Sequence, residues 1–346
     1  MENKKLSNCY RSFYRLRISP ASGGRAFLAT CCNNMFRAEN HLIINSGIKY
    51  AWNSPQFRFQ RKLVLKNDWS FCKGSSCFFY PYFDESQLLN RPFIKSAIDA
   101  KELRLDYLPQ AVNIIPSYSC NNNCYMCYHV SQRDRGKECK LSDTIMKEIE
   151  DDIVPAAEFV TISGGEPLFS ERTRSFIGRV MSAHPNKRLL INTNGILLHE
   201  YGLEKIVETN IFLNVTVYGM EEASYESVTG SSRCRIIFKN IQRLFDLGYQ
   251  NMRLIFIVTD KNYKDSEKFC AFIKENKNVK GMLRNNCFED TKYWSLMRQL
   301  EMKYCDIASR LKFVYQSESL FNSITRRLYD PVFFVRYLLA KREVKR

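Results

Sequence analysis

Three cysteines within eight residues constrain this chain more than any other feature. The stretch Cys120-Asn121-Asn122-Asn123-Cys124-Tyr125-Met126-Cys127 has the spacing C-x3-C-x2-C on a polar loop and follows the strand-like run Ala111-Val112-Asn113-Ile114-Ile115. Thiolates are soft ligands that suit zinc or iron–sulfur clusters. A structural zinc site closes with four ligands, and so does a fully ligated cluster. Three thiols at close range would leave one iron of a cluster open for chemistry, whereas His129 could instead complete a zinc site.

From Ala111 onward, short apolar runs alternate with longer amphipathic ones, the pattern of βα units around a parallel sheet. Strands are expected at 111–115, 158–163, 187–193, 211–218, 251–258 and 279–284. Ser142-Asp143-Thr144 can open a helix that puts Ile145, Ile149 and Ile153 on one face. Arg174–His184 is a second helical segment, halted by Pro185, and Ile236, Ile237, Ile241, Leu244 and Phe245 form a third stripe ended by Gly248. In parallel α/β folds, functional residues gather at the carboxyl ends of strands. The cysteines follow the first of these strands, Ser163-Gly164-Gly165-Glu166-Pro167 the second, Asn192-Thr193-Asn194-Gly195 the third and Tyr218-Gly219 the fourth.

Paired glycines after a strand let the backbone approach a ligand, and a carboxylate beside them can hold an ammonium group. In combination, the tri-cysteine run and Gly164-Gly165-Glu166 resemble the radical S-adenosylmethionine (radical SAM) superfamily, over about residues 111–286. The resemblance implies an α/β fold, a partial (β/α)6 TIM-like barrel, flanked here by a small N-terminal cysteine-rich α+β domain and a helical C-terminal tail. It implies a [4Fe-4S] cluster ligated by Cys120, Cys124 and Cys127, with S-adenosylmethionine as second cofactor. Gly164, Gly165 and Glu166 would hold the methionyl amine, Thr193 and Asn194 would line the cofactor pocket, and Thr216 would reach the ribose or carboxylate. Met126 departs from the aromatic residue usual before the third cysteine, with Tyr125 and Tyr128 on either side.

The segment before the barrel carries Cys9, Cys31-Cys32, Cys72 and Cys77. Four of these five thiols would satisfy a closed tetrahedral zinc site or a fully ligated cluster. The glycine turn at Gly23-Gly24, the strand-like run ending in Cys31-Cys32, Trp52-Asn53-Ser54-Pro55, the basic helix-like Phe57–Leu65 with Arg61 and the closing cysteine pair resemble a SPASM domain, an auxiliary-cluster module. That resemblance implies a second [4Fe-4S] cluster on Cys9, Cys32, Cys72 and Cys77. Two departures stand out: the module precedes the barrel, and its closing spacing is C-x4-C. The expected organisation is therefore an auxiliary domain at 1–85, a connector at 86–110, the core barrel at 111–290 and a helical basic tail at 291–346.

At 346 residues and 45% hydrophobic content, the chain can bury a sizeable core. Its net charge of +16, from 52 Lys+Arg against 36 Asp+Glu, favours anionic partners, including an acidic electron donor such as flavodoxin or ferredoxin. The start shows no apolar leader core, no run reaches transmembrane length, and clustered thiols suggest metal binding, so a cytoplasmic location is expected. Cys234 and Cys270 read as packed thiols, Cys139 and Cys305 have no partner at ligand spacing, and Cys287 follows the last barrel strand. By resemblance, the reaction is reductive cleavage of S-adenosylmethionine followed by hydrogen abstraction from a peptide or protein side chain. The alternatives are oxidation or rearrangement of a small anionic metabolite and, outside enzymes, a non-catalytic zinc or iron–sulfur scaffold. Nucleic acid ranks below these as a partner, since nothing here resembles an aromatic-rich RNA-binding module.

Overall fold

A computed structural model of the chain describes residues 9–30, 41–68, 86–127, 140–285 and 293–314, which form two compact units. The first contains the described residues of 1–117 and 139–161. Strands β1 (Arg15–Pro20), β2 (Ala26–Ala29) and β3 (His41–Ile44) form an antiparallel meander. On its other side β1 pairs in parallel with β4 (Ala111–Ile114), from Arg15↔Ala111 to Ile18↔Ile114, and β5 (Phe159–Ile162) comes next in strand order. Both β4 and β5 are buried at every position, as expected for sheet interior.

Helix α1 (Pro55–Leu65) starts where sequence rules place it. The Ser54 hydroxyl accepts from Phe57 N, and Pro55 takes the first turn, where its missing N–H costs nothing. Phe57, Gln60, Arg61 and Val64 make its buried face. Helix α2 (Pro92–Asp99) buries Ile94 and Ala97. Helix α3 (Asp143–Glu148) is capped by Ser142 and runs on through a π-helical turn, Ile149–Ile153. Ile145, Ile149 and Ile153 are all fully buried, as their spacing anticipates.

Arg61, fully buried, ties this unit together. Its Nε donates to Ser12 O at 2.9 Å, Nη1 to Asn53 Oδ1 at 3.1 Å and Leu103 O at 2.8 Å, and Nη2 to Trp52 O at 2.8 Å. The guanidinium also lies 4.5 Å from the centre of the Trp52 ring, whose Nε1 donates to Tyr107 O. Burial lowers the Arg61 pKa to about 9, which leaves it cationic at neutral pH. Arg61→Met would take the donor from three buried backbone carbonyls, while Asn53 Oδ1 keeps Leu105 N, so a loss of about 3–5 kcal/mol is expected. Urea denaturation reads that loss directly, and an unchanged midpoint would show the hub to be dispensable. Of the expected auxiliary ligands, Cys9 is half-buried, while Cys32, Cys72 and Cys77 lie outside the described residues, as do Cys31, His129, Cys139 and Cys287.

The second unit contains the described residues of 118–138 and 162–318. Strands β6 (Arg188–Thr193), β7 (Ile211–Val217), β8 (Met252–Val258), β9 (Lys280–Asn285) and β10 (Leu311–Val314) are parallel and adjacent in chain order. Helix α4 (Glu171–Ala183) precedes β6; α5 (Glu222–Thr229) and α6 (Cys234–Asp246) join β7 to β8. Helices α7 (Ser266–Glu275) and α8 (Tyr293–Lys303) make the next two crossovers. The fold is thus α/β with a parallel sheet, as expected.

One face of this sheet is apolar, with Leu213, Val215, Val217, Leu254, Phe256 and Leu283 all fully buried. It packs on the helices: the Phe256 and Phe269 rings lie 5.2 Å apart. The opposite face carries Asn192, Asn214, Thr216, Arg253 and Arg284 by strand alternation, with register pairs Asn192↔Asn214↔Arg253 and Ile257↔Arg284. Three strands depart from the expected order. β1 contains Arg15, Arg17 and Pro20 and reads as irregular, β3 is a short run, His41-Leu42-Ile43-Ile44, outside the expected strands, and β10 interrupts a stretch expected to be helical. Cys234 and Cys270 are buried and pushed up to about 12 by that burial, packed thiols as expected. No helix among the described residues is long and apolar enough to cross a membrane.

Candidate cofactor site

The cysteine loop is held by the end of α5. The last carbonyls of a helix have no partner within it; here Thr229 O accepts from Asn123 N at 2.9 Å and Val228 O from Tyr125 N at 3.1 Å. Asn122, buried in the loop, donates from Nδ2 to the Tyr225 hydroxyl of α5 at 2.9 Å. Cys127 N donates to Cys124 O at 3.0 Å, closing a tight turn between two of the thiols. Cys124 is buried, and Cys120 and Cys127 are half-buried. At the exposed edge, the Tyr125 hydroxyl donates to Asp260 at 2.5 Å while the Lys261 ammonium sits 4.2 Å from the Tyr125 ring centre.

The Gly164-Gly165-Glu166 loop lies directly against the backbone that leads into Cys120. A Cβ on Gly165 would fall 2.1 Å from Ser119 O and 2.4 Å from Tyr118 O, so only glycine fits, and Glu166 N donates to Ser119 O at 2.9 Å. Gly164 adopts φ +139°, a backbone conformation that side chains rarely take. The Glu166 carboxylate is buried and accepts three hydrogen bonds. Oε1 receives Thr193 Oγ1 at 2.8 Å and Leu168 N at 3.1 Å, and Oε2 receives Asn194 N at 2.7 Å. Burial raises its pKa to about 7 despite the three donors, because the desolvation of a buried charge outweighs them.

Asn194 carries the connection onward. Its Nδ2 donates to Asn121 Oδ1 at 2.7 Å and lies 3.9 Å from Cys120 Sγ, while Asn122 N approaches the same sulfur at 3.4 Å. The structure therefore brings Glu166, Thr193, Asn194 and Cys120 into one bonded network, with Gly165 packed beside it. Thr216 lies on the polar face of β7, outside that network. Tyr218, just past β7, has its phenol raised by burial and by the Cys124 and Cys127 thiols nearby. Asn121, Asn122 and Tyr225 are the members that sequence reasoning misses. The asparagines read only as a polar loop, although a run of amide donors between thiols is itself a signal.

The donor chemistry suits an anionic iron–sulfur cluster. The loop offers three thiols, and among the described residues the Asn121 Nδ2 group is buried with no hydrogen-bond partner, a donor available to sulfur or sulfide. Among the described residues no three His, Cys, Asp or Glu side chains converge on a single ion. Ligation in which each thiol takes its own iron does not require such convergence.

A parallel α/β sheet with a tri-thiol loop braced by a glycine–glutamate turn defines the class of domain. Residues 114–273 match the sequence model of the Radical SAM superfamily, a family for which a [4Fe-4S] cluster and S-adenosylmethionine are the implied cofactors. Among curated proteins, the chain is 23% identical over 146 residues to a probable GTP 3',8-cyclase of Methanococcus maripaludis, covering 42% of this chain and 48% of that one. It is 27% identical over 165 residues to GTP 3',8-cyclase of Mannheimia succiniciproducens, covering 45% and 47%. The chain thus spans about half the length of the curated relatives it matches. Among solved structures, SuiB of Streptococcus suis aligns with a TM-score of 0.50 at 17% identity, over 88% of this chain and 72% of that one, a likeness of fold.

Proposed function

We propose that the chain is a radical SAM enzyme acting on a small anionic substrate. The observation that carries the chemistry is the junction of the two motifs: Gly165 seated on Ser119, and Glu166 joined through Asn194 to Asn121 and Cys120. When bound and reduced, a [4Fe-4S] cluster supplies one electron that splits S-adenosylmethionine into methionine and a 5′-deoxyadenosyl radical, which takes a hydrogen atom from the substrate. Cys120, Cys124 and Cys127 would hold that cluster. Glu166 has one acceptor position left beyond its three hydrogen bonds, enough for the methionyl ammonium. Thr193 and Asn194 would orient it, and Thr216 would reach the ribose or carboxylate from the polar face of β7.

The substrate class rests on charge. The +16 balance and the arginines Arg253 and Arg284 on the polar sheet face favour an anion, and the curated relatives bear the name of a reaction on GTP. A peptide or protein side chain remains the second reading, supported by the SPASM-like pattern of Cys9, Cys32, Cys72 and Cys77. The same excess of positive charge suits an acidic electron donor of the flavodoxin or ferredoxin kind. Anaerobic reconstitution with iron and sulfide, then dithionite and S-adenosylmethionine, tests the chemistry by mass spectrometry. 5′-Deoxyadenosine is expected. Its absence from iron-loaded, reduced protein, with GTP and with acidic peptides both supplied, would overturn the proposal.

A further inference from the structure

We propose that Arg284 anchors an oxyanion of the substrate, a phosphate or carboxylate, on the polar face of the parallel sheet. The inference rests on the radical SAM reading above and narrows its substrate. Arg284 sits near the carboxyl end of β9, paired with Ile257 of β8 and Val314 of β10. Val217↔Phe256 places Tyr218 beside Ile257, so Tyr218 and Arg284 share one face and one level of the sheet, two strands apart. Both lie at the carboxyl ends of parallel strands, the rim at which Asn194, just past β6, meets Asn121 and Cys120.

What marks it as a binding group is its incomplete bonding. Among the described residues, Arg284 Nε is buried with no hydrogen-bond partner. A buried charged donor without an acceptor is costly, and the planar fork of arginine matches a carboxylate or phosphate in bidentate geometry. Contrast Arg61, whose Nε and both Nη atoms are engaged.

Two sources could supply the oxyanion: the substrate, or the carboxylate of S-adenosylmethionine. Glu166, Thr193 and Asn194 gather at the end of β6, three strands from β9, a backbone separation of about 14 Å at ordinary strand spacing. The methionyl end of the cofactor belongs with Glu166, so Arg284 falls to the substrate.

The test is calorimetric titration of iron-reconstituted protein, wild type, Arg284→Met and Arg284→Lys, with inorganic pyrophosphate, with citrate and, separately, with S-adenosylmethionine. Wild type should bind pyrophosphate or citrate. Arg284→Met should weaken that binding by about tenfold or more, Arg284→Lys should recover part of it, and affinity for S-adenosylmethionine should stay unchanged in all three. Thermal melts of each variant separate loss of binding from loss of fold. The proposal is overturned if wild type binds neither oxyanion, if Arg284→Met binds them equally well, or if that variant loses S-adenosylmethionine instead. Failure of the radical reading has a different signature: oxyanion binding that depends on Arg284 in a protein that forms no 5′-deoxyadenosine.

Discussion

Replacing Cys120, Cys124 and Cys127 together with Ala should abolish 5′-deoxyadenosine formation and remove about four irons per chain from the reconstituted protein. The expectation follows from the way the loop is built. Its backbone is pinned to Val228 O and Thr229 O, and Asn122 is pinned to Tyr225, so the loop should keep its path when the thiols are gone. The variant should then lose its cluster without unfolding, which near-unchanged circular dichroism would show. The iron that remains is informative in its own right. About four atoms left would support the auxiliary cluster assigned to Cys9, Cys32, Cys72 and Cys77, and none left would remove it. Iron content unaffected by the triple substitution would sink the assignment of Cys120, Cys124 and Cys127, and zinc in place of iron in wild type would favour a non-catalytic scaffold.

Glu166→Gln should flatten two pH dependences of opposite sign. Burial raises the folded-state carboxyl from 4.5 to about 7, so between those values the native chain holds a proton that the unfolded chain has released. Stability from this group is therefore greatest below pH 4.5 and declines as pH rises through about 7, by about 3 kcal/mol in all. Binding of an ammonium group runs the other way, because it requires the ionised carboxylate. Affinity for S-adenosylmethionine should rise by about tenfold across a window of about one unit either side of the carboxyl pKa. The oxygen of the introduced amide can still accept from Thr193 and Leu168, but its NH2 would face Asn194 N, donor against donor. Wild-type affinity that stays level with pH, alongside the expected stability slope, would reduce Glu166 to a brace on Thr193 and Asn194.

The parts of the site that could be read from the chain are those whose chemistry is local. Ligand spacing from Cys120 to Cys127 is a property of eight consecutive residues, and Gly164-Gly165-Glu166 of three. The six apolar runs that became β4 to β9 announced themselves because each is buried on at least one whole face, and hydrophobic periodicity reports that directly. The helix start at Ser142 was legible too, since a cap binds an N–H three residues on.

Where polar side chains find their partners was not legible. Glu166 reaches Thr193 and Asn194 across 27 and 28 residues, Asn194 reaches Asn121 across 73, and Asn122 reaches Tyr225 across 103. Propensity and periodicity carry no information over such separations. The same holds for β1 and β10, whose sequences are ordinary and whose strand conformation follows from the backbone groups that β4 and β9 offer them. Arg284 shows the division most plainly. Alternation along β9 assigns its face from sequence alone, but a buried guanidinium nitrogen left without an acceptor exists only once the surrounding chain has excluded water from it. Sequence by itself determined the thiol loop, the glycine turn and the order of the parallel strands, because those depend on neighbours along the chain. Tertiary structure alone decided which carboxylate braces the loop and which arginine is left with a bond to make, because burial and long-range contact set the cost of every unmatched polar atom.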